Sequence, residues 1–234
     1  MSVDHEGYLI GVLKRLGMSH PDRELFEKQL AQTQRHNRAK REASPKLDLR
    51  GEWERQVARY IKLGFHEVLG IDEVSYRDSL PKFTPQPEAF KGRFDIPVLV
   101  ETRISVSKQT ELMGISYLLC GLKVQDWKGD PKGYKTPKAL YTTWMQDGSG
   151  YLKLSVVAFR ERMNEDERGA TEFDGIALII KNPEILKHHY INLPGTSVGF
   201  DDAPFLRLWF GEPVLDNHWV VGARSNLGSA SCGR

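Results

Sequence analysis

The chain has 234 residues, 40% hydrophobic and 27% charged, a balance that excludes a wholly disordered polypeptide. Lysine and arginine number 33 against 31 aspartates and glutamates, so no overall excess points to a polyanion or a charged membrane surface, and local distribution has to decide. No stretch approaches the roughly 20 apolar residues of a membrane-crossing helix, and the first residues lack the basic start and apolar run of a secretory signal.

Two cysteines, Cys120 and Cys232, give no disulfide framework and suit a reducing compartment, so a cytoplasmic chain is expected. Tyr8, Leu9, Val12, Leu13 and Leu16 form a helical stripe that Gly17 can close. Ser19 and Asp22 mark a second start. Leu25, Phe26 and Leu30 then open a helix that turns polar on every side beyond Gln32 and ends at Ser44-Pro45. Residues 1–50 therefore read as a helical N-terminal extension and 51–234 as the main domain.

Trp53, Val57, Tyr60, Ile61, Phe65 and Val68 share one face of an amphipathic helix, with Gly70 placed for a left-handed cap. Asp72 caps a shorter helix that stops before Pro81, and Pro81, Pro85 and Pro87 make 81–95 a surface loop. From Asp95 the pattern changes. Residues 96–100 form a strand, 115–124 a second and 139–146 a third. The third continues through Asp147-Gly148-Ser149-Gly150 into a hairpin with Tyr151-Leu152-Lys153-Leu154. Helices return at 155–163 and 171–181. The latter presents Phe173, Ile176, Ala177 and Ile180 on one face, with Thr171 and Asp174 spaced as a cap and its third-position acid. Asn182-Pro183 ends that helix, and apolar runs at 205–210 and 219–221 read as strands between tight turns. The order implies an α+β fold: a helical N-terminal region, then a mixed, mainly antiparallel sheet packed with helices.

Several groups could carry function. Segment 35–50 holds Arg35, Arg38, Lys40, Arg41, Lys46 and Arg50 against Glu42 and Asp48, a density able to neutralise phosphates or an acidic protein surface; a solvated helix end is the plainer alternative. In segment 123–135, Lys123, Lys128, Lys132 and Lys135 interleave with Trp127 and Tyr134, so exposed rings could stack on unpaired bases while lysines hold phosphates. The plainer alternative is a turn-rich connection whose rings pack on the core.

Cys232 sits among Gly228, Ser229, Ala230, Ser231 and Gly233, which leaves room for a nucleophile if His188, His189 or His218 supplied a base. His188 and His189 diverge on a helix and have no metal-ligand spacing, so neither metal nor cofactor is expected. Glu165, Asp166, Glu167, Glu172 and Asp174 read as helix-terminal acids. Gly195-Thr196-Ser197-Val198-Gly199 lacks the lysine-containing ending of a phosphate-binding loop. The leading expectation is a non-enzymatic binding or adaptor protein contacting nucleic acid or an acidic protein, without a membrane. The alternative is a small hydrolase or transferase built on Cys232 and His218, with a cleft near the C-terminal strands lined by Trp209 and Trp219.

Overall fold

Asp48 accepts the backbone N–H of Gly51 and starts helix α1 (Leu49–Lys62), which buries Trp53, Gln56, Val57 and Tyr60. A computed structural model describes residues 47–199 and 201–234 of the chain, and Asp48–Arg234 group as one unit. The helices expected before Ser44, and with them Arg35, Arg38, Lys40, Arg41 and Lys46, lie outside the described residues.

The helix expected to run through Val68 is divided. Gly64 takes a left-handed φ of 79°, and the chain restarts as α2 (Phe65–Val68). The bend keeps the apolar face continuous, because the Phe65 ring meets Tyr60 edge to face at 4.8 Å. Gly70 is left-handed where the spacing placed it, and Asp72 caps α3 (Glu73–Ser79) through the N–H of Ser75.

After β1 (Ile96–Val100) come α4 (Val106–Leu112), β2 (Ser116–Tyr117), β3 (Val124–Asp126) and β4 (Tyr141–Gln146). Then follow α5 (Val156–Arg162), β5 (Glu167–Gly169), α6 (Glu172–Lys181), β6 (Tyr190–Asn192) and β7 (Thr196–Val198). The chain closes with β8 (Asp202–Trp209), β9 (Glu212–Trp219), β10 (Leu227–Ser229) and β11 (Ser231–Gly233). Two expectations need correction. The single strand at 115–124 is two short strands serving different partners, separated by a turn at left-handed Gly121. The hairpin after β4 does not form. Gln146 Oε1 accepts the Gly148 N–H, Asp147 accepts that of Ser149, and residues 149–151 curl into a 3₁₀ turn.

The strands make two mainly antiparallel sheets. The smaller has the order β1-β4-β11-β5. The larger runs β10-β6-β8-β7-β3, with β9 on the other edge of β8 and β2 beyond it. The chain crosses from one sheet to the other at Ala230, fully buried between β10 and β11. Its N–H reaches Asn192 in β6, and its carbonyl accepts from Ala170 beside β5. Close approach at this seam requires glycine: a Cβ on Gly169 would sit 2.5 Å from the Gly195 nitrogen.

Helix α6 fills the space against both sheets. Ile176, Ala177, Leu178, Ile179 and Ile180 are all buried, so the helix is covered all round rather than on one face. Gly175 lets it approach Leu193 and Leu206 of the larger sheet, while Arg59 donates to the Ile180 and Lys181 carbonyls at its C-terminal end. No helix among the described residues is long and apolar enough to cross a membrane.

The outer edge of β1 is paired not with a strand but with α1. Gln56 accepts the Leu99 N–H at 2.9 Å and donates to the Pro97 carbonyl at 2.9 Å, and Tyr60 donates to the Leu99 carbonyl. Gln56→Ala would leave a buried N–H and a buried carbonyl without partners, each costing about 1–3 kcal/mol. Urea unfolding is therefore expected to show a loss of about 2–4 kcal/mol with an unchanged m-value. A midpoint equal to the parent's would mean that water replaces the amide.

Candidate functional site

The chemistry-bearing side chains divide into a sealed set and an open set. At the centre of the sealed set, Arg168 on β5 and Asp174 in the first turn of α6 are fully buried and bonded in both arms, at 2.6 and 3.0 Å. Asp174 also accepts from the Thr171 N–H and hydroxyl and from Tyr141 on β4. The capping box read from Thr171 and Asp174 is thus present, with an arginine as a further member. Burial pushes the Asp174 carboxyl up, but the guanidinium charge and these bonds overcome it and hold the group below the usual aspartate range. Burial followed by the Asp174 charge pushes Tyr141 well above a normal phenol.

The segment between β3 and β4 lies over this cluster. Tyr134 faces the Arg168 guanidinium at 4.2 Å from its ring centroid. Trp127 faces Arg160 at 4.4 Å, and Gly129 lies close against the indole. Among the described residues, no acid pairs with Arg160. It donates to the Pro194 and Thr196 carbonyls, and burial lowers its pKa to about 10. The two rings proposed as base-stacking platforms are therefore half-buried anchors.

The acids of the segment also turn inward. Asp126 accepts the Thr136 N–H and hydroxyl, and Asp130 accepts from Arg234 and from the Lys132 and Tyr134 N–H groups. Lys123, Lys128, Lys132, Lys135 and Lys138 remain exposed, and among the described residues none of their side chains forms an ion pair. The bond from Arg93, at 2.7 Å, lowers the Asp166 carboxyl, and the Lys132 charge helps.

The C-terminal candidates are not assembled. Cys232 is in β11 of the smaller sheet and His218 in β9 of the larger. The thiol is completely buried, which pushes its pKa up, and the charges acting on it most are Arg168 and Asp174. His218 Nε2 instead meets Asn192 Oδ1 at 2.6 Å, and burial followed by the Arg224 charge holds its pKa below the ordinary value. His189 is buried with Nε2 2.9 Å from the Asp147 carbonyl, while His188 is exposed. Trp209 and Trp219 do not share a cleft, because they pair with Glu212 and Asp202 at opposite ends of the β8–β9 hairpin.

Ser229 and Ser231 are as buried as Cys232; Ser231 donates to Glu167 and accepts from Gln146. Two clefts of about 370 Å³ open on the surface. One has Arg93, Gln146 and Tyr151 in its wall, the other Ile61, Val74 and Arg77. Arg93 and Gln146 are already engaged by Asp166, Ser229 and Ser231, so they hold the wall rather than reach into it. No protein-family model matches the sequence, and no curated protein or solved structure matches it either. Function has to be argued from side-chain geometry.

Two outcomes test the sealed set. Arg168→Met should cost about 3–5 kcal/mol by stranding a buried carboxylate, and adding Asp174→Leu should recover part of that loss, seen as a smaller deficit in chemical unfolding of the double variant. The second concerns Glu172, whose carboxyl is raised by burial and by Asp126 and Asp174, against the bond from Thr196. An acid raised in the folded state stabilises it below the unfolded pKa of about 4.3, and that contribution disappears as pH climbs through the folded value. Glu172→Gln should therefore gain stability over the parent between about pH 4 and 7, the difference widening with pH. Parallel unfolding profiles across that range would show that Glu172 titrates normally.

Proposed function

We propose that this chain is a non-enzymatic binding protein that holds an anionic macromolecule against the lysine surface of residues 123–138. The supporting observation is the segregation of charge there. Five lysines are exposed without ion pairs among the described residues, while Asp126 and Asp130 are turned inward by Thr136 and Arg234. The local field is therefore positive although the chain as a whole is nearly neutral. Trp127 and Tyr134, fixed on Arg160 and Arg168, hold the backbone beneath these lysines, so little ordering remains when a partner binds. Cys232, Ser229 and Ser231 are buried, which favours the binding reading over nucleophilic catalysis built on Cys232.

Lysine–phosphate contact releases counterions, and five contacts would weaken binding about a hundredfold to five-hundredfold between 50 and 200 mM salt. The test is titration of the full chain into a labelled oligonucleotide of about 20 nucleotides and into polyglutamate of similar length. Salt-sensitive binding of either probe, lost in the triple variant Lys128→Glu, Lys132→Glu and Lys135→Glu with thermal unfolding unchanged, is the expected result. Failure of both probes at 50 mM, or binding indifferent to the triple variant, overturns the proposal. Reversal of Arg35, Arg38, Lys40 and Arg41 to glutamate measures separately what segment 35–50 adds.

A further inference from the structure

The two sheets end differently. On the smaller one, the outer side of β1 is bonded by Gln56 and Tyr60 of α1. On the larger one, β3 is a terminal strand with β7 as its partner. The pair is antiparallel, in the register Val124↔Val198, Gln125↔Ser197 and Asp126↔Thr196. Just beyond it, the Lys123 carbonyl accepts the Gly199 N–H at 2.9 Å, and the Trp127 N–H donates to the Gly195 carbonyl at 2.8 Å. An antiparallel strand bonds a given neighbour at every second residue. Residues 123, 125 and 127 therefore turn their main-chain groups to β7, and Val124 and Asp126 turn theirs to the outer side. Among the described residues, no group bonds the N–H or carbonyl of either one on that side. Two donors and two acceptors stand open along about 7 Å of edge.

Successive side chains of a strand alternate between faces. Val124 and Asp126 share the face of Thr196 and Val198, which are buried, so theirs is the inner face. Lys123 and Gln125 share the outer one, and Lys123 is exposed. The acids here are engaged: Asp126 by the Thr136 N–H and hydroxyl, Glu172 by the Thr196 hydroxyl, and Asp130 by Arg234. Lys123 and Lys128, at the two ends of the strand, form no ion pair among the described residues.

We infer that the open edge of β3 takes up an extended acidic polypeptide as an added antiparallel strand, with apolar and acidic residues alternating along it. The inference rests on the binding reading above and names its partner. A polypeptide brings donors and acceptors at ladder spacing, whereas a nucleic-acid backbone brings phosphate acceptors and no matching N–H. Antiparallel addition repeats the pairing of β3 with β7 and sets one incoming residue opposite Gln125, its neighbours opposite Val124 and Asp126. The residue opposite Gln125 faces outward, diagonal to Lys123 and within reach of a long carboxylate side chain. Its neighbours face inward, where a carboxylate is repelled by Asp126 and an apolar group extends the packing of Val124 on the core. These inward residues are also the ones that bond the Val124 and Asp126 main chain. Charge and hydrogen bonding thus fall to different residues of the partner.

The experiment titrates the full chain with a peptide of alternating glutamate and valine, about eight residues long. Three related peptides accompany it: one N-methylated at every valine, one N-methylated at every glutamate, and one with the same composition in two blocks. A single-stranded oligonucleotide of equal charge is titrated in parallel. The alternating peptide should bind more tightly than the block peptide and the oligonucleotide, and amide exchange at Val124 and Asp126 should slow on binding. Methylation at valine removes the donors that face β3 and should weaken binding at least about tenfold, while methylation at glutamate should leave most of the affinity.

If both methylated peptides bind like the unmodified one while the triple lysine variant loses binding, the added strand is wrong and the lysine surface stands. Preference for the oligonucleotide, or equal loss from the two methylations, also overturns the added strand. Absence of binding to every probe overturns both readings.

Discussion

The constraint on which the rest of the structure depends is the burial of two opposite charges, Arg168 and Asp174, between the sheets. Removing a guanidinium and a carboxylate from water costs several kcal/mol each, and mutual attraction offsets that cost only when every remaining donor and acceptor is used. The surroundings follow from that demand. Tyr141 must lie on β4, across β11 from Arg168, Thr171 must cap α6 in one geometry, and a ring must cover the guanidinium face, which Tyr134 does. The loop between β3 and β4 is thereby pinned at Tyr134 and again at Trp127. Its lysines point outward because its apolar groups are held inward.

Chemical potential in a sequence and chemical availability in a fold are different quantities, and this protein separates them. Serines, a cysteine, histidines and acids all occur in the C-terminal third, yet Ser229, Ser231, Cys232, Glu167 and Asp174 are buried and bonded to one another or to the backbone. Among the groups left exposed are Lys187, Arg162, Arg224 and the indoles of Trp209 and Trp219. Such groups suit recognition of charge and of flat rings, for which no activated nucleophile is needed.

Local signals were legible in the sequence. Asp72, Thr171 with Asp174, and Gly70 each act on residues within four positions, and each does in the structure what its spacing implies. The mainly antiparallel α+β arrangement also follows from pattern alone. What was not legible depends on distant partners. The strand at 141–146 joins β1 and β11 rather than the next segment, because its own Gln146 closes the following loop. Trp127 and Tyr134 look like exposed platforms until Arg160 and Arg168 arrive from elements roughly thirty residues away. Trp219 was read as pocket lining. Its exposure follows from its place at the end of β9, where the Gly222 turn leaves the hairpin.

The side-chain amide of Gln56 and the hydroxyl of Tyr60 have a consequence for the molecule in company. Open sheet edges recruit strands from other chains, and proteins commonly protect them with lysine, proline or a bulge. Here the exposed donors and acceptors of β1 are already engaged by a helix of the same chain, at Pro97 and Leu99. An incoming polypeptide must displace a buried amide before its first ladder bond can form. This flank of the smaller sheet is therefore a poor seed for intermolecular ribbons, even when crowding brings copies together.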